Sequence, residues 1–180
     1  MPAATTVASA HVELLTAFAN TLDVDDGTDS LGTPSQLAGW LREHDLVARR
    51  TSATDEELAL ARILREGIRA AMTAHHDNLP VESVALTQAT SQLPLQLNCC
   101  GDRPGLEPVE GGVRGGLAHL LVAVNEAMMT KAWGRVKICA DDSCQWAFYD
   151  ATKNRSKSWC CDGCGNKAKT RTYRQRKKSG

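Results

Sequence analysis

Five of the seven cysteines fall within 26 residues near the C-terminus: Cys139-x4-Cys144, a gap of 15 residues, then Cys160, Cys161 and Cys164. That density is hard to reconcile with thiols scattered through an ordinary core. Two pairs at this spacing can instead close a tetrahedral cage around one metal ion, each pair supplying a corner turn. Cys139 and Cys144 form the first pair, and Cys164 is the fixed member of the second. Its partner is open on spacing alone, because Cys161 gives C-x2-C and Cys160 gives C-x3-C. All five histidines (His11, His44, His75, His76, His119) lie far upstream, so the cage would be all-thiolate. Zn2+ suits four sulfurs, and a closed four-sulfur site leaves no position for water, so its role would be structural. In a short segment with a thin apolar core, metal binding would supply much of the folding free energy.

The net charge of zero conceals a split. Residues 1–130 carry 8 Arg, no Lys and 17 Asp+Glu, a net of −9, whereas residues 131–180 carry 13 Lys+Arg and 4 Asp, a net of +9. Segregation on this scale predicts two parts with separate tasks: a domain over 1–130 and an appended finger over 131–180. The basic part is the candidate for a polyanion, and the acidic part would confine contact to one face. No basic start followed by an apolar run marks a secretory leader, and no stretch approaches a membrane span. A reducing cytoplasmic setting is therefore expected, where paired cysteines favour metal over disulfide.

The N-terminal part reads as mainly helical. Val7 to Leu22 carries an apolar stripe through Leu14, Leu15 and Phe18, and the acidic stretch Asp23–Gly32 reads as a loop. Thr33-Pro34-Ser35-Gln36 and Thr54-Asp55-Glu56-Glu57 each open a helix with a capping box. The second helix is expected to run to about His76, burying Leu60, Leu64, Ile68 and Met72, with His75 and His76 serving its C-terminus. A further helix is expected from Pro80 to about Leu93, then a hairpin from Leu95 to Pro108-Val109. A helix after Gly115-Gly116 is expected to bury Leu117, Leu120, Leu121, Val124, Met128 and Ala132 and lead straight into the cysteine segment. There, Gln145–Asp150 has strand composition, Thr152–Ser158 reads as a turn, and a helix starts near Asp162. Knuckle, hairpin, knuckle and helix in that order predict a treble-clef-like finger. The fold class is thus mainly α, an α+β arrangement with short hairpins.

The same residues resemble the CGNR zinc-finger family. Cys164-Gly165-Asn166-Lys167 is similar to its signature, as are Trp159-Cys160, Asp150-x-x-x-Asn154-Arg155 and the run from Cys139 through Cys144-x-Trp146-x-Phe148-Tyr149-Asp150. Upstream, Phe18-x-Asn20-Thr21, Leu31-x-Thr33-Pro34, Leu37-x-x-Trp40-Leu41 and Leu93-Pro94-Leu95 are similar to the helical domain that precedes this finger. The signature's usual Arg is Lys167 here, which keeps the charge and loses a bidentate fork. The resemblance favours Cys160 over Cys161 as the third ligand. It implies a bacterial, stress-induced transcription regulator whose finger binds DNA.

A basic stripe supports that implication. Lys167, Arg171, Arg174 and Lys178 recur at i, i+4, i+7 and i+11 on one helical face, and Arg155, Asn166 and Lys169 stand nearby in sequence. These seven are the candidate nucleic-acid contacts, with phosphate binding that weakens steeply in salt. Trp146, Phe148 and Trp159 are expected to pack around the cage. The helical domain would sense a small-molecule effector or mediate homodimerisation. Two other readings use the same features: a zinc-stapled protein–protein module and an RNA-binding protein. No catalytic constellation is evident, so the chain is not expected to be an enzyme. Loss of Cys139 or Cys164 is expected to unfold the finger and spare the helical domain.

Overall fold

Among the described residues, six helices and three short antiparallel hairpins follow one another along the chain. In order they are α1 (Ala3–Ala19), β1 (Leu22–Asp23), β2 (Thr28–Asp29), α2 (Pro34–Glu43), α3 (Asp55–Asp77), α4 (Val84–Thr90), β3 (Leu95–Asn98), β4 (Gly105–Pro108), α5 (Gly112–Met129), β5 (Val136–Ile138), β6 (Ala147–Tyr149) and α6 (Asp162–Lys178), with a 3-10 turn at Trp133–Arg135. The computed structural model describes residues 3–100 and 104–178; within these, the side chains of 3–9, 171–176 and 178 lie outside the description. The strands pair only with their neighbours, β1 with β2, β3 with β4 and β5 with β6. The expected mainly helical architecture with short hairpins is what the chain adopts.

Both expected N-caps form, but only the one at Thr54 closes a reciprocal capping box; at Thr33 the Gln36 side chain accepts from the Thr33 hydroxyl instead. Thr33 Oγ1 accepts from the Gln36 N–H, and Thr54 Oγ1 accepts from Glu57 N–H while Glu57 returns a bond to the Thr54 N–H at 2.8 Å. Each cap satisfies helix-end donors that would otherwise face water alone. From Thr54 the helix α3 runs through the middle of the molecule, with Leu60, Leu64, Ile68 and Met72 all buried. Burying each such side chain stabilises by about 1.5–3 kcal/mol. Helix α4 crosses α3 where Gly67 leaves room, since a Cβ there would fall 2.6 Å from the Leu86 backbone. The end of α3 differs from expectation. Asn78, at φ 55°, caps it in the left-handed region, and His75 instead turns towards β5.

Four boundaries also move. Helix α1 stops at Ala19, because Thr21 Oγ1 bonds back to the Phe18 carbonyl at 2.7 Å and the chain turns into β1. The expected loop is a hairpin whose turn is built by Asp23, which accepts from the N–H groups of Asp25 and Asp26. Helix α4 starts after Ser83, whose Oγ accepts from Leu86 N–H, so it is shorter than the predicted 80–93. Helix α5 begins at Gly112, which places Gly115 and Gly116 inside it. A Cβ at Gly116 would lie 2.9 Å from Val47 Cγ1, so the glycine marks close packing rather than a helix start. The same helix ends at Met129, leaving Met128 exposed, and Ala132 is buried beyond its end.

One apolar core runs from Leu15, Phe18, Leu41 and Leu64 through Leu117 and Leu120 to Trp133, Val136, Ile138 and Ala147. The β5–β6 hairpin therefore belongs to the helical core, although it lies beyond residue 130. Among the described residues, no helix is long and apolar enough to cross a membrane.

Candidate metal centre and its basic surround

Strand β5, which the sequence reading also missed, sets the geometry of the site. It pairs with β6 in the register Val136↔Tyr149, Lys137↔Phe148 and Ile138↔Ala147. The first cysteine pair thus sits in the turn of this hairpin, between its strands, rather than ahead of it. Asp141 shapes that turn. Its carbonyl accepts from the N–H groups of Cys144 and Gln145, its Oδ1 from the Ser143 hydroxyl at 2.9 Å, and Gln145 adopts φ 50°. The second pair belongs to the start of α6, with Cys160 just before the helix and Cys164 in its first turn.

The fold brings Cys139, Cys144, Cys160 and Cys164 together, with all four Sγ atoms within 4.8 Å of one another. Four sulfurs held at about 2.3 Å from one zinc ion stand about 3.8 Å apart along the tetrahedron's edges. Cys144 to Cys160 is 3.7 Å and Cys160 to Cys164 is 3.8 Å. The donor set therefore fits zinc. Cys161 is exposed and falls outside the set of four, although its Sγ lies 3.7 Å from that of Cys164. The alternative left open by spacing resolves to Cys160.

The electrostatics of the thiols point the same way. Burial and the neighbouring thiols push Cys164 up to about 12 and push Cys160 upward as well. Cys139 is also raised by burial, but the backbone N–H groups at Asp141 and Cys160 outweigh it and draw the thiol down. Crowded sulfurs thus resist joint ionisation unless a cation sits among them. Cys139 and Cys164 are buried with Phe148, and Trp159 packs against this small cluster. Trp146 lies at the rim instead, 39% exposed. Zinc bound here would cross-link the hairpin to the helix.

A second centre lies on the face of the hairpin that carries Phe148, the cross-strand partner of Lys137. Lys137 and Asp150 form a buried ion pair at 2.8 Å, with side chains 3% and 0% exposed. The Lys137 ammonium also donates to the carbonyls of Arg155 and Lys157. Asp150 accepts from the Thr152 N–H and hydroxyl and from the Lys157 N–H. Burial alone would raise this carboxyl, but those donors, Lys137 foremost, hold it at about 2. The pair folds the loop 151–157 into one shape, with Arg155 at φ 53°. Lys153, Arg155 and Lys157 are exposed on that loop, and Lys157 reaches over the Phe148 ring, 5.3 Å from its centroid.

Of the seven candidate nucleic-acid contacts, Arg155, Asn166, Lys167 and Lys169 are exposed. Arg171, Arg174 and Lys178 fall on α6, and their side chains lie outside the described residues. Lys137 and Asp150 were not foreseen as a pair. Their only signal was the alternation that sends Lys137 to one face of a three-residue strand, too short to read.

The helical body grips the hairpin through its backbone. Asn20 Nδ2 donates to the Ala147 carbonyl at 3.0 Å, and the Ala147 N–H donates to Asn20 Oδ1 at 2.7 Å. Arg69 donates to the carbonyls of Ala19 and Gln145. His75 Nδ1 meets the Val136 carbonyl at 3.0 Å, while the ring stands edge-on to Trp133. Burial lowers the pKa of His75, which favours a neutral ring donating from Nδ1.

Two family models match the chain. The CGNR zinc finger covers residues 135–177, and the ABATE family, described as putative stress-induced transcription regulators, covers residues 12–133. The chain belongs to the ABATE family. No curated protein matches it. The ABATE match ends at Trp133 and the CGNR match begins at Arg135, so the junction falls in the 3-10 turn, inside the shared core rather than in a linker.

Proposed function

We propose that this ABATE protein is a DNA-binding transcription regulator that grips the phosphate backbone with its finger. One observation carries the reading. Lys153, Arg155, Lys157, Lys167, Lys169 and Lys177 are exposed, and none is engaged in a salt bridge to a carboxylate among the described residues. Cations without carboxylate partners on one small zinc-braced unit suit a polyanion. The contrast with Lys137 is useful, because this lysine, the buried one among the described residues of the finger, is spent on structure. The acidic remainder of the chain repels DNA and orients the finger towards it. The family description supports a regulatory role, and a cytoplasmic, non-catalytic protein responding to stress is part of the same reading.

The experiment is a salt titration of binding to duplex DNA, single-stranded RNA and an acidic peptide. For duplex DNA, log K falls with log salt at a slope of about −0.9 per phosphate contacted. Lys167→Gln with Lys169→Gln is expected to make the slope shallower by about 2 units with zinc content unchanged. A salt-independent affinity, or tighter binding to the acidic peptide, overturns the proposal.

A further inference from the structure

The N-terminal domain carries its own cluster of basic side chains, separate from the finger. A cleft of about 490 Å3 opens beside α2, lined by Arg42, Arg49, Arg50, Ser35, Thr51 and Ser52 among others, and no carboxylate lines it. This is notable in a segment whose net charge is −9. The other described arginines of this domain are committed to structure. Arg62 bonds the carbonyls of Leu31 and Gly32, Arg65 pairs with Asp29 and Thr21, Arg69 holds Ala19 and Gln145, and Arg114 pairs with Glu110. Arg42 donates once, to the Thr51 carbonyl at 3.0 Å, which keeps its remaining N–H groups at the cleft. Arg49 and Arg50 are exposed and have neither an ion pair nor a hydrogen bond among the described residues. An anion in the cleft would meet three guanidinium groups with no carboxylate among the residues lining it. Planar N–H forks and neighbouring hydroxyls are the usual recognition set for phosphate oxygens.

We infer that this cleft binds a small phosphate-bearing molecule. Its volume lies within the range of small-ligand sites, and its polar groups converge from α2 and from the loop that precedes α3. Ser35, in the first turn of α2, adds the positive end of that helix to the same side. The position also suits an effector. The cleft touches Thr51–Ala53, immediately before the Thr54 cap of α3, while the finger is held by Arg69 and His75 near the other end of that helix. About 20–30 Å of helix separates the cleft from Arg69 and His75, so a ligand there would act on the finger through α3 and not by contact. The inference goes beyond the DNA-binding reading and does not rest on it.

The test uses the full zinc-loaded chain and inorganic phosphate as the probe, with ionic strength held constant by sodium chloride. Wild type is expected to show a saturable rise in melting temperature of about 2–4 °C at phosphate several-fold above its Kd. Arg49→Gln with Arg50→Gln is expected to lose the rise, with an unchanged melting temperature when phosphate is absent. Lys167→Gln with Lys169→Gln is expected to keep it. No saturable rise in wild type overturns the inference, as does a rise that survives in the arginine variant or disappears in the lysine variant, because phosphate would then sit on the finger. Duplex DNA binding by the arginine variant is measured in parallel. Its retention separates the cleft from the finger, and its loss would make the cleft part of the DNA surface and overturn the inference.

Discussion

At the scale of single residues, two neighbouring thiols have opposite fates. Cys160 lies at tetrahedral-edge distance from two ligands, whereas Cys161 is exposed and comes that close only to Cys164. Cys161→Ser is expected to keep one zinc per chain and Cys160→Ser to lose it, measured by metal analysis of protein purified under reducing conditions. The spacing could not make this choice, because adjacent residues at a helix start differ in direction and not in reach. Lys137 is the other decisive residue. Lys137→Met leaves the Asp150 carboxylate buried and without its ammonium, at a cost of about 3–5 kcal/mol in chemical denaturation. The pH dependence has a definite sign. The Asp150 carboxyl is depressed from 3.8 to about 2, so its contribution, about 2 kcal/mol, is complete above pH 4 and is lost as pH falls towards 2. The stability gap between wild type and Asp150→Asn is therefore expected to narrow below about pH 4.

At the scale of elements, the helices were legible and the shortest strands were not. Capping boxes at Thr33 and Thr54 announce helix starts because the chemistry that satisfies end donors is local. The stripe Leu60, Leu64, Ile68, Met72 is equally local, since 3.6-residue periodicity alone puts those positions on one face. Strands β1, β2 and β5 span two or three residues each, too few for alternation to show, whereas β6 was betrayed by its aromatic run within Gln145–Asp150. Gly115 and Gly116 misled for a related reason: a glycine kept for the approach of Val47 looks in sequence like one kept for a turn. Three of the four cage ligands, Cys139, Cys144 and Cys164, were readable because the spacing within each pair is local, while Cys160 was favoured only by the family resemblance. The Lys137–Asp150 pair and the arginine cleft were not, since both depend on segments that meet only after folding. Thr54→Ala, which removes the N-cap of α3, is expected to cost about 1 kcal/mol. Thermal unfolding should register that loss across the whole chain, because α3 carries much of the core.

At the scale of the whole molecule, the hairpin that carries two of the cage cysteines and the helical body share one core. Val136, Ile138 and Ala147 sit in the same core as Leu64 and Leu117, so the hairpin that holds Cys139 and Cys144 is also a wall of the helical domain. The division of charge at residue 130 is real, yet it does not coincide with a division of packing. The shared core alters the outcome expected from sequence for Cys139→Ser. Zinc removal by a chelator, like that substitution, is expected to lower the melting temperature of the helical signal as well as loosen the finger. Circular dichroism followed with and without chelator checks this, and an unchanged helical transition would restore two independent units. The clasp made by Asn20 has a further consequence. Its side-chain amide occupies both backbone groups of Ala147, the place where another strand would otherwise add. A finger cut loose at residue 134 would carry that ribbon edge uncovered, and such a fragment is poised to stack with its own copies into insoluble assemblies.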